Sequence, residues 1–249
     1  MSVEATAAEI LVLAYHRIGD PPARGWNDWF YVSEEAFVEH LRLLEEDRWT
    51  FIDLPRLLTG MDDPVTTPQR SVLITFDDAG VTLLSGALRH LVGQRIPAVV
   101  FVPSDFIGAT NDFDGEDQPP ERICSWDELR ELAEHGVSVQ AHSASHRSLA
   151  ELGRSESLLE LWRSKQVLED HLRRPVEAFA YPFGNMGREP LAIEKMLVKL
   201  GYRAAFLYGG SCPWPLVGSP RFRLARLAVG RDTDLGTEFA NSVRRTGKR

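Results

Sequence analysis

Short apolar runs alternate along this chain with segments whose apolar residues recur at helical spacing. Runs at 10–15, 72–76, 98–102, 137–141, 176–181, 204–207 and 222–229 have the length and the Val, Ile, Leu, Phe and Ala content of buried strands. Between them, Ser33 precedes an acidic first turn of Glu34 and Glu35, and Phe37, Leu41 and Leu44 follow at a helix's period. Further helices are expected near 54–58, 83–92, 126–135, 155–172 and 190–200, with Gly136, Pro175 and Gly201 as stop signals. Phe51-Ile52 reads as a short strand, and 61–69, with Pro64 and Pro68, as a loop. This alternation predicts an α/β fold on a parallel sheet, carried by one domain with its core at about 10–230. The segment 104–122, with Gly108, Gly115, Pro119, Pro120 and several acids, is a long polar loop of the sort that carries function or covers a site.

Polar residues of interest fall just after strands: His16, Asp77, Asp78, His142 and Tyr181. In barrels and open α/β sheets alike, active sites sit at that strand end. Asp77 and Asp78 follow the run Val72–Phe76 directly, and successive strand residues point to opposite faces, so the two carboxylates should diverge. One could then bind a cation while the other handles protons; the plainer alternative is a helix N-cap. His142 and His146 stand four apart, a spacing that puts two imidazoles on one face of a helical turn. Two histidines and a carboxylate are a common metal set with positions left for water and substrate.

Charge and composition narrow the partners. The chain has 249 residues, net charge −8 and a pI near 5.4, which argues against a broad nucleic-acid surface. The basic tail Arg244-Arg245-Thr246-Gly247-Lys248-Arg249, part of a polar tail at 240–249, reads as a solvated terminus. Cys124 and Cys212 form no CxxC pair and are expected to be two free thiols. The N-terminus lacks the basic and apolar regions of a signal peptide, and no apolar run reaches the roughly 20 residues of a membrane span. A cytoplasmic protein is therefore expected from the chain as given, unless an export signal was trimmed.

Four stretches carry a resemblance. Thr75-Phe76-Asp77-Asp78, His142-Ser143-Ala144-Ser145-His146, Phe179-Ala180-Tyr181-Pro182-Phe183-Gly184 and Leu13-Ala14-Tyr15-His16-Arg17 occur in the order and combination of the polysaccharide deacetylase family. This is the NodB-homology or carbohydrate esterase family 4 domain, and the poly-N-acetylglucosamine deacetylase branch is the most similar. The motifs span 11–184, with weaker similarity to about Val229. The resemblance implies a distorted, incomplete (β/α)7 barrel of the glycoside hydrolase/deacetylase type. It implies that Asp78, His142 and His146 hold a divalent metal, usually zinc, with cobalt or nickel able to substitute. Asp77 would be the general base, and the Tyr181 backbone N–H would help the metal stabilise the oxyanion. The substrate would be a carbohydrate bearing N-acetyl groups.

Departures from the family pattern raise further expectations. Ala79 stands where the first motif has Gly; if that position needs φ > 0, alanine costs roughly 1 kcal/mol, unless Gly80 takes up the turn. Phe179 stands where the third motif has an Arg that positions the base, and Leu224-Ala225-Arg226 has no histidine where the late motif has its acid. Arg226 is therefore expected to pair with Asp77, and His16 to lie near the metal as acid or supporting group. Two other readings compete: hydrolysis of a cyclic amide, and a degenerate carbohydrate-binding domain. His40, His90, His135 and His171 are expected at surfaces or helix ends, Trp126 in the core, and Trp26, Trp29 and Trp214 are candidates for a sugar-binding rim. Among the loop acids Asp105 is expected nearest the site, and the acids of 151–169 form a solvated helix face.

Overall fold

The first apolar run forms β1 (Glu9–Tyr15), followed by the short β2 (Arg17–Ile18) and β3 (Tyr31–Val32). α1 (Glu34–Glu46) begins as expected: Ser33 accepts from the Ala36 N–H, and Phe37, Leu41 and Leu44 are buried. β4 (Thr50–Phe51), α2 (Leu54–Asp62) and β5 (Arg70–Phe76) come next, then a wide π turn over Leu83–Leu88 that passes into α3 (Arg89–Gln94). The second half runs β6 (Ala98–Val102), α4 (Trp126–Glu134), β7 (Val137–Ala141), α5 (Arg154–Leu172) and β8 (Ala178–Ala180). It ends with α6 (Pro190–Lys199), β9 (Ala204–Phe206), β10 (Trp214–Pro215) and β11 (Leu227–Ala228). This computed structural model describes residues 8–22, 26–116, 118–210 and 212–238; the tail expected at 240–249 lies outside them.

In the main sheet the strands run in the order β10-β1-β5-β6-β7-β8-β9, with β4 beside β5 and β11 beside β1. Every pair but β1–β10 is parallel. The expected last strand at 222–229 is split. Leu224 bridges to Phe206 at the end of β9, while Leu227 and Ala228 pair with Leu13 and Ala14 of β1. One segment thus ties the two edges together, and the sheet curls into a distorted, incomplete (β/α)7 barrel.

Side-chain alternation divides the core in two. Leu11, Leu13, Tyr15, Val72, Ile74, Phe76, Val137, Val139, Phe179 and Tyr181 belong to the layer between sheet and helices. Ile10, Val12, Leu73, Val99, Phe101, Ala178, Ala180, Ala204, Phe206 and Leu224 fill the barrel interior, with α2 and Trp214 packed on the same cluster. Counting on by twos along the interior rows gives His16, Asp77, His142, Tyr208 and Arg226 at the strands' C-terminal ends. That parity, more than any local motif, assembles the site.

Smaller expectations divide. Both cysteines are free, and burial pushes each thiol up to about 12, so neither is a ready thiolate. His40 is buried rather than on the surface, with Nδ1 3.1 Å from the Tyr15 hydroxyl. Trp214 is no rim residue; it is buried and donates Nε1–H to the Ala225 carbonyl at 3.0 Å. Trp126 packs partly buried against the core and stacks on His171, centroids 4.1 Å apart. Among the described residues no helix is long and apolar enough to cross a membrane.

Candidate active site

β5 delivers two carboxylates that part company at once. Asp77 keeps the interior direction of the strand, while Asp78 and Ala79 turn to φ of +67° and +60°. The expected strain at Ala79 is present, at about 1–2 kcal/mol for a non-glycine residue in this region. Gly80 is needed for another reason: a Cβ there would come within 2.5 Å of the Glu121 carboxylate. His146, Ser143 and Phe183 also have positive φ, so five of the eight such non-glycine residues among the described ones lie in the turns that build this site. Backbone strain of this kind concentrates where side-chain placement matters more than stability.

Asp78, His142 and His146 converge from two loops. Their candidate ligand atoms lie within 4.8 Å of one another, and all three side chains are buried. His142 Nε2 is 3.5 Å and His146 Nε2 3.3 Å from Asp78 Oδ1, yet that oxygen accepts no hydrogen bond from any described residue. His142 Nδ1 lies 2.8 Å from the Ala180 carbonyl, which can only accept, so the proton sits on Nδ1 and Nε2 faces the site with its lone pair. Burial pushes the His142 pKa down to about 4, so the ring is neutral at pH 7. Burial works to raise Asp78, but the three nearby histidines outweigh it and hold the carboxyl well below its usual range. A buried, ionised, undonated oxygen facing two imidazole nitrogens is a donor set that fits a divalent cation.

Asp77 is buried beside this cluster, and Arg226, fully buried, grips it with both guanidinium nitrogens. Nη1 donates to Oδ1 and Nη2 to Oδ2, each at 2.7 Å. Arg226 is itself fixed by donation to the Leu207 carbonyl at 2.7 Å and to Thr75 Oγ1 at 3.1 Å. Burial would raise Asp77; Arg226 foremost, then His142 and His16, keep it lowered and ionised. His16 reaches the same place, with Nε2 3.8 Å from Asp78 Oδ2, while burial lowers its pKa against the pull of both aspartates.

Tyr181 corrects an expectation. Its backbone N–H donates to the Phe206 carbonyl at 3.0 Å, continuing the β8–β9 ladder, and its hydroxyl donates to the Phe222 carbonyl. The N–H is spent and cannot serve an oxyanion. Two residues on, Phe183 sits on the short turn Pro182–Gly184 at the cavity wall, and its N–H donates to no backbone acceptor outside that turn.

Three supporting residues escaped the sequence. Asp105 pairs with Arg163 on the outside; the loop acid that lines the cavity is Asp114. Arg17, buried, donates to Glu121 at 2.6 Å, Gln118 at 2.8 Å and Asp114 at 2.9 Å, and so clamps the 104–122 loop over the site. Glu160 is not a mere solvated face residue. Its carboxylate accepts from the Ala144 and Ser145 N–H groups at 2.9 and 2.8 Å and from Ser145 Oγ at 2.8 Å, holding the His142–His146 loop in shape. If this cluster holds a divalent cation, Glu160→Ala is expected to lower its affinity about 10- to 100-fold, the usual effect of removing a ligand's support, read by metal titration. The cavity itself is about 270 Å³, with Phe30, Phe183 and Tyr208 as its aromatic walls.

Comparison with known proteins places this arrangement. A family model described as polysaccharide deacetylase matches residues 64–205. The chain is 22% identical over 196 residues to YxkH of Bacillus subtilis (strain 168), covering 79% of this chain and 63% of that protein, which is under two thirds of its length. It is 26% identical over 214 residues to a poly-beta-1,6-N-acetyl-D-glucosamine N-deacetylase of Staphylococcus aureus (strain N315), covering 77% of this chain and 71% of that one. In fold it resembles the Streptococcus pyogenes deacetylase PplD in complex with acetate, with TM-score 0.76, 18% identity, and 94% and 98% of the two chains covered. IcaB from Ammonifex degensii gives 0.75 and 21%, with 90% and 93% covered.

Proposed function

The chain belongs to the polysaccharide deacetylase family, and from that premise we propose that it is a metal-dependent hydrolase releasing acetate from N-acetylated amino sugars, with Asp77 as general base. One observation carries the proposal: the undonated Asp78 Oδ1 facing His142 and His146, beside an aspartate that Arg226 keeps ionised. Asp78, His142 and His146 would hold the cation, zinc by preference and cobalt or nickel as substitutes. When bound, a divalent cation supplies Lewis-acid polarisation of the acetyl carbonyl and makes a nearby water more acidic.

The chain's own groups do the rest. A carboxylate has about four lone-pair sites, and Arg226 occupies two on Asp77, which leaves the base free to take a proton from the attacking water. Water oxygen bonds to the acetyl carbon, the C–N bond breaks, and the proton held on Asp77 passes to the departing nitrogen. Phe183 N–H is the protein donor to the developing oxyanion. His16, with Nδ1 buried and unpartnered, stands ready to help that proton transfer. The aromatic walls suit the C–H face of a sugar ring and the acetyl methyl.

The test is acetate release from N-acetylglucosamine oligomers by protein stripped of metal and reloaded with zinc, cobalt or nickel. About one divalent ion per chain and turnover that a chelator abolishes are expected. Chelator-insensitive, metal-free protein would sink the reading, and turnover of cyclic imides in place of acetylated sugars would redirect it.

A further inference from the structure

Each interior row of the barrel that ends in a polar side chain at the cavity has a task in the reading above, with one exception. His16 continues β1, Asp77 β5, His142 β7, and Arg226 the Leu224 segment; Tyr208 continues β9 and has been given none. Its ring is held on every side. It meets His16 edge-on with centroids 5.1 Å apart, lies 6.4 Å from Phe30, and has the Arg226 guanidinium 5.9 Å from its centre. Behind it, Gly184 is pressed so close that a Cβ there would come within 2.8 Å of the Tyr208 nitrogen. This glycine closes the Tyr181–Gly184 stretch, so the motif that shapes one cavity wall also seats Tyr208.

The hydroxyl is the anomaly. It is buried and has no hydrogen-bond partner among the described residues. A buried hydroxyl without a partner costs stability that phenylalanine would avoid, since phenylalanine offers the same ring and the same packing. Three buried tyrosines show the usual pattern: Tyr15 has its hydroxyl 3.1 Å from His40 Nδ1, Tyr181 donates to the Phe222 carbonyl at 3.0 Å and Tyr202 to the Leu161 carbonyl at 2.9 Å. An orphan donor retained at the reacting end of the barrel marks a place where a ligand completes the bond. Arg226 cannot fill the need, because a guanidinium only donates and offers no acceptor to the phenol proton.

We propose that the Tyr208 hydroxyl is a catalytic hydrogen-bond donor to the acetamido group of the bound amino sugar, a role that rests on the deacetylase reading. The acetamido group must lie between Asp77 and the Asp78, His142 and His146 cluster for hydrolysis to occur, and all four line the cavity that Tyr208 lines. The phenol keeps its proton throughout; it donates a hydrogen bond and transfers nothing.

Tyr208→Phe tests this directly. On N-acetylglucosamine oligomers kcat should fall about 100- to 1,000-fold, the range of single preorganised donors, with KM changed far less. Metal content should stay at the wild-type value, and Tm should be unchanged or raised because an unsatisfied hydroxyl has gone. Tyr202→Phe is the structural contrast: it should lower Tm and leave kcat alone. Turnover by Tyr208→Phe within twofold of wild type would overturn the proposal. So would a fall in Tm matching that of Tyr202→Phe alongside lost activity, which is the mark of a structural hydroxyl. A wild type that releases no acetate from any acetylated amino sugar would overturn the deacetylase reading itself, an outcome separate from an active wild type with an equally active variant.

Discussion

If the chain is the metal-dependent deacetylase proposed above, Asp77→Asn should lose about 10²- to 10⁴-fold in turnover, the span of a general base, and keep the divalent metal, while Asp78→Asn should lose the metal. The two aspartates are neighbours in sequence but not in environment. Asp77 stays on the interior row, and both its oxygens face Arg226. Asp78 turns at positive φ toward His142 and His146, and its Oδ1 takes no hydrogen bond from any of them. An amide at 77 keeps one acceptor for Arg226 but has no basic oxygen for water. At 78 it removes the only anionic member of the ligand cluster. Metal analysis and acetate release on the two purified variants check the assignment, and the reverse pattern would exchange their roles. Asp77→Asn is also expected to lower Tm, because Arg226 is then a fully buried cation facing a neutral group.

What the sequence disclosed, and what it hid, follows from the range of each signal. The seven-fold strand pattern was legible because buried parallel strands are continuous apolar runs. The Asp77, Asp78, His142 and His146 cluster was legible because the aspartates and His142 follow such runs and His146 stands four residues beyond His142. Arg226 beside Asp77 was inferred from an absence, the missing motif arginine, and the two meet at 2.7 Å. Tyr181 was misjudged although the signal was present: with Ala178 and Ala180 in the interior, residue 181 must face the helices with its N–H in the ladder. Glu160 gave no local sign, since its partners lie 15 and 16 residues away on another loop and helix period alone marks it as exposed. Asp114 rather than Asp105 reaches the cavity because Arg17, nearly 100 residues earlier, draws the loop inward. The expected α-helix at 83–92 opens as a π turn where Gly86 backs onto the Ile18 carbonyl, with room for no Cβ. Apart from Tyr181, these misses are contacts between segments distant along the chain.

Arg226→Met should be the most damaging substitution for stability and for turnover together. Arg226 is fully buried and Asp77 is 2% exposed, so methionine leaves a carboxylate in the barrel with no counter-charge, and Leu207 loses its donor. Breaking a buried pair from one side costs about 3–5 kcal/mol, on the order of 10 °C in Tm for a chain of this size. The pH dependence fixes the cause. In the native protein the Asp77 pKa is lowered, so the stability it contributes is complete above the unfolded value near 3.9 and is lost as pH falls through the folded value. Without Arg226, burial acts on Asp77 against only the weaker pull of His142 and His16, and its pKa rises. The variant is then penalised most at neutral pH and relieved as acid protonates the group. The Tm gap between wild type and Arg226→Met should therefore be widest near pH 7 and shrink toward pH 4, read by thermal melts across that interval. Arg226→Lys keeps the charge but not the two-pronged grip, and should fall between them. Adding Asp77→Leu to Arg226→Met removes the stranded charge and should recover much of the Tm while activity stays absent. A double variant no more stable than Arg226→Met would show that packing, not the buried ion pair, sets the cost.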